Sequence, residues 1–200
     1  MTVEDIPNPY PAQLLDDYLT IYSRRDPASL GNTIIRHRSL EARHLVARYI
    51  LGDKGGLKDL IQLAECGSFQ KAGITKDEVD PARLATLARI LALQDVLPND
   101  MRHALRLYDL ILDAFGPSRM PVAHQNLHAQ LAYGLGQLEK TRYLLATYNK
   151  MYLSVRKTLE MNLANPIHGI STGWTEWCQR LQDLMPAANF SVSDDDDLPP

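Results

Sequence analysis

An all-α fold, stacked as antiparallel helical hairpins with a C-terminal capping helix, is what three features of this chain imply. Apolar residues recur at helical spacing along most of its length. Three stretches, 40–66, 82–115 and 122–151, share one plan of apolar helix, short break and second apolar helix. No segment shows the period-two alternation of a strand. A recurring helix pair implies stacking on its neighbours.

Residues 1–11 contain Pro7, Pro9 and Pro11 and are expected to form an extended lead-in, because prolines at that density forbid a helix. A first helix over 11–24 places Leu14, Leu15, Tyr18, Leu19 and Tyr22 at helical spacing. Asp26-Pro27 starts the next, which reaches about 38: the carboxylate caps free amides, and the proline needs no N–H in the first turn. Ser39 caps a helix that ends before Gly52, and Gly55 and Gly56 separate it from one over 57–66, closed by Gly67. Residues 67–80 lack a period, although Thr75-x-x-Glu78 has capping-box spacing.

Asp80-Pro81 opens a helix to about 96. Its Leu84, Leu87, Ala88, Ile90, Leu91 and Leu93 point nearly all round, so it needs cover on more than one side. Asn99 is read as the cap of a helix to 115, whose stripe is Met101, Ala104, Leu105, Tyr108, Ile111, Leu112 and Phe115. Gly116-Pro117 stops it. Pro121 opens a helix that closes near Gly134 and Gly136. A long stretch over 138–163, bent or broken in the middle, ends at Asn165-Pro166. A last short helix holds Trp174, Trp177, Leu181 and Leu184 and caps the array. Residues 186–200 are expected to be a disordered acidic tail or a truncated linker, since adjacent aspartates repel and little apolar surface is on offer. The organisation expected is therefore one helical-repeat domain over 12–185.

The totals narrow the function. Two hundred residues suffice to bury a real core. The net charge of −3 comes from Asp194, Asp195, Asp196 and Asp197; the remainder has 21 basic and 20 acidic residues, so nucleic-acid binding is not expected. Cys66 and Cys178 are too isolated for a disulfide framework or a zinc site and read as free thiols of a reducing compartment. The acidic, proline-rich start is unlike a signal peptide, and no run approaches the roughly 18 apolar residues of a membrane span. A cytoplasmic protein is expected, with no cofactor.

Several motifs carry no chemistry on inspection. Gly169-Ile170-Ser171-Thr172-Gly173 spells G-x-S-x-G, but that motif works on a strand-to-helix turn and no histidine follows Ser171. His124 and His128 share a helix face at i, i+4 but lack a third ligand and the intervening glutamate of a zinc protease helix. The 52–56 segment is too short for a phosphate-binding loop. The aspartate run pays an ordering cost before it can hold an ion. Residues 24–48 form the strongest charge asymmetry, with Arg24, Arg25, Arg36, Arg38, Arg43 and Arg48 against Asp26 and Glu41. That cluster could dock an acidic partner, the chain's own acidic tail or phosphate groups. The simpler reading has their stems covering apolar surface and their heads in water.

Segment 125–148, QNLHAQLAYGLGQLEKTRYLLATY, resembles a tetratricopeptide repeat: Ala129, Gly136 and Thr141 occupy the small-residue, turn and second-helix positions. Residues 88–115 fit the frame through Ala92 and Ala104, and 40–66 through Gly52, with Leu57 where a small residue is usual. The spacing departs from the family. Leu57 to Ala104 is 47 residues and Ala104 to Thr141 is 37, against the family's about 34. The resemblance covers about half the chain and implies a concave helix face that holds a peptide or partner helix. Tyr49, Arg89, Asn126, Gln130 and Tyr133 project onto that face.

The function expected is a non-catalytic protein–protein interaction or scaffolding module, not an enzyme, whose partner is another protein or peptide segment. An apolar edge of such an array also permits self-association into a homo-oligomer. The alternative is an accessory domain of a longer enzyme, such as a glycosyltransferase, with its catalytic domain beyond residue 200. A third reading is an apolar ligand pocket between the helices.

Overall fold

The computed structural model describes residues 40–51, 56–94, 97 and 99–164. The lead-in, the helices expected over 11–24 and 27–38, the G-x-S-x-G segment, the tryptophan helix, Cys178 and the acidic tail all lie outside the described residues. Among the described residues the fold is all-α: seven helices, two short 3-10 turns and no strand. The helices are α1 (Leu40–Leu51), α2 (Leu57–Cys66), α3 (Pro81–Gln94), α4 (Asp100–Phe115), α5 (Val122–Gly134), α6 (Leu138–Thr147) and α7 (Leu153–Ala164). They fall into two compact units, with the boundary along the chain between Met120 and Pro121, a division inside the span that the sequence treats as one domain.

In the first unit α1 pairs with α2 and α3 with α4, while α1 also touches α3 and α2 touches α4. The nearly uniform apolarity of α3 is met by burial: Leu84, Ala85, Leu87, Ala88, Ile90 and Leu91 are all fully buried. A helix with no polar face is stable only when neighbours cover it on several sides. Tyr108 of α4 donates its hydroxyl to the Ala85 carbonyl at 3.3 Å, so its polar tip is satisfied inside this core.

The aperiodic stretch after α2 is fastened by aromatic packing. Phe69 meets Phe115 edge-to-face, centroids 5.8 Å apart, and Lys76 Nζ lies 5.0 Å over the same Phe115 ring. The capping box expected at Thr75 and Glu78 is absent. Residues Lys76–Glu78 form a 3-10 turn in which the Thr75 side chain makes no cap bond, and a single turn has too few free amides to need the box. Asp80 caps as expected, its Oδ1 accepting from Ala82 N–H at 2.9 Å.

Asn99 does not cap α4 through its side chain. It sits at φ +70 in the left-handed region, and only its carbonyl accepts, from His103 N–H at 2.8 Å. Asparagine tolerates that conformation better than most residues, which accounts for its presence there. The carboxylate that organises this helix start belongs to Asp100, whose Oδ2 accepts from Leu97 N–H at 2.8 Å.

In the second unit α5 pairs with α6, and α7 returns to α5. The turn after α5 closes twice: Gln137 N–H donates to the Ala132 carbonyl and Gly136 N–H to the Tyr133 carbonyl. Gly136 stands at φ +75, the left-handed position this closure requires. The stretch expected over 138–163 divides into α6 and α7, with Tyr148–Tyr152 outside both helices. Two side chains of α5 hold that break. Asn126 Oδ1 accepts from Tyr152 N–H at 3.2 Å, and His128 Nδ1 lies 2.7 Å from the Tyr148 hydroxyl.

Candidate interaction groove

Helix α6 buries Thr141, Leu144 and Leu145, and α7 buries Val155, Leu159 and Leu163 at i, i+4, i+8. Both helices therefore turn one face inward and leave the other in water. Between them lies an open groove of about 520 Å³, lined by Arg142, Leu145, Ala146, Arg156, Glu160, Leu163 and Ala164. Its floor is apolar and its edges are charged.

Arg156 is one of the lining residues. Its guanidinium donates to the Leu145 carbonyl in the last turn of α6, where the helix has unsatisfied acceptors, and its Nε donates to Glu160 at 3.2 Å. Arg142 pairs with Glu139 one turn back on α6, with both side chains at least half exposed. An exposed pair of this kind holds its partner weakly and exchanges readily.

Three large apolar side chains are exposed in this unit: Leu153 at 79%, Met161 at 60% and Tyr143 at 58%. Leu153 shares the groove face of α7, since 153, 156, 160 and 164 follow helical spacing. Residues 121–164 hold five Lys and Arg against two Asp and Glu, but the unit over its full sequence, 121–200, holds six against eight.

The side chains expected to form a concave face are placed as follows. Tyr49 lies on α1, with its side chain outside the described set. Arg89 is half-buried on α3, and burial draws its pKa below the usual arginine value. Tyr133 is half-buried on α5, and burial raises its phenol. Asn126 and Gln130 are brought together one turn apart on α5, but both are buried rather than presented to a partner. The reason is that residues 125–132 are buried without interruption, so this part of α5 has no solvent face. Asn126 commits its oxygen to the chain itself, and its Nδ2 and the Gln130 Nε2 have no hydrogen-bond partner.

The basic cluster is also revised. Arg24, Arg25, Arg36 and Arg38 lie outside the described residues. Arg43 does not carry its head into water: it is fully buried, and its Nη1 donates to both Asp100 carboxylate oxygens at 3.1 and 3.0 Å. Arg48 is half-buried, and with His44 it packs on Gly56.

Among the described residues no group of three or more His, Cys, Asp or Glu side chains could hold a metal ion. No helix there is long and apolar enough to cross a membrane. The groove residues were missed in the sequence because each is ordinary alone. The chain matches no family model, no curated protein and no solved structure, so the likeness to a tetratricopeptide hairpin rests on sequence positions alone.

Proposed function

We propose that this chain is a non-catalytic protein–protein interaction module, an array of helical hairpins that holds a peptide or helix of another protein on one face. The observation that carries this reading is the open groove between α6 and α7, with Leu145, Ala146, Leu163 and Ala164 among its lining residues. The paired helices of the first unit, with α1 on α3 and α2 on α4, are the contacts that stacked hairpins make.

The test is selection of a displayed random peptide library on the immobilised full chain, with elution by soluble full chain. An interaction module enriches a restricted set of sequences that bind the soluble chain. No enrichment over the bare support would count against the reading.

A further inference from the structure

We draw no further inference here: the strongest candidate, the open groove between α6 and α7, carries nothing, because both of its arginines are already paired, with Glu139 and Glu160, and nothing in the structure shows what covers it.

Discussion

Arg43 and Asp100, 57 positions apart, form an ion pair in which neither side chain has any exposure to solvent. The pair ties α1 to the start of α4. Asp100 is well placed for it, because a carboxylate in a first helical turn also faces the positive end of the helix dipole. Replacing both residues with apolar ones could be tolerated; removing one leaves an uncompensated buried charge.

Asp100→Ala is accordingly expected to destabilise the first unit by about 3–5 kcal/mol. The comparison is Arg83→Ala, which breaks the half-exposed 3.4 Å pair with Asp80 and should cost less than about 0.5 kcal/mol. Urea unfolding followed by circular dichroism measures both. Equal effects would mean that the buried pair contributes no more than a surface contact.

Two histidines make this unit sensitive to acid. His44 Nδ1 accepts from Leu57 N–H at 3.3 Å, which requires the neutral ring, and burial together with the nearby Arg48 lowers its pKa from 6.5. His103 is lowered mainly by burial, although Glu65 and Asp100 pull the other way. In the unfolded chain both rings take up protons near the ordinary value of 6.5, before the folded chain does. Stability is therefore full above that pH and declines as pH falls through it toward the lower folded values. Thermal melts from pH 7.5 to 5 should show this decline, and His44→Gln should flatten it.

The break between α6 and α7 depends on α5. Asn126→Ala removes the acceptor for Tyr152 N–H and should cost about 1–3 kcal/mol. Tyr148→Phe deletes the hydroxyl beside His128 and should cost about 1–2 kcal/mol, although the ring itself still fills the core. Differential scanning calorimetry of the two variants checks both values. An unchanged melt for Asn126→Ala would mean that its bond to the Tyr152 N–H contributes nothing to stability.

Two glycines separate conformational strain from steric clash. A methyl group at Gly136 meets nothing within 4 Å, so Gly136→Ala costs only the left-handed backbone, about 1–2 kcal/mol. At Gly56, also at positive φ, the same methyl would lie 2.7 Å from the Arg48 Cγ and 2.8 Å from the His44 ring. Gly56→Ala should therefore destabilise more than Gly136→Ala in parallel chemical denaturation, and the reverse order would contradict the α1 contact.

What the sequence showed depended on the range of the interaction. Helical spacing, Asp80-Pro81 and the glycines at 67, 116 and 136 are local signals, and the elements they mark are present. Asn99 misled because asparagine suits both a cap and a left-handed residue, and the neighbouring Asp100 supplies the carboxylate. Arg43 misled because its neighbours in the chain are also basic, while its partner lies 57 residues away. Asn126 and Gln130 read as a polar face because α5 buries polar side chains among apolar ones, so it lacks the all-round apolarity that marked α3 as covered on several sides. The groove was hidden because it exists only where the faces of α6 and α7 meet.

Amide hydrogen exchange of the full chain, with and without the tightest-binding selected peptide, places the docking surface without any substitution. The groove assignment predicts slowed exchange concentrated over 142–164, with 81–94 and 100–115 unchanged. Protection that falls on the first unit and spares 142–164 would contradict it.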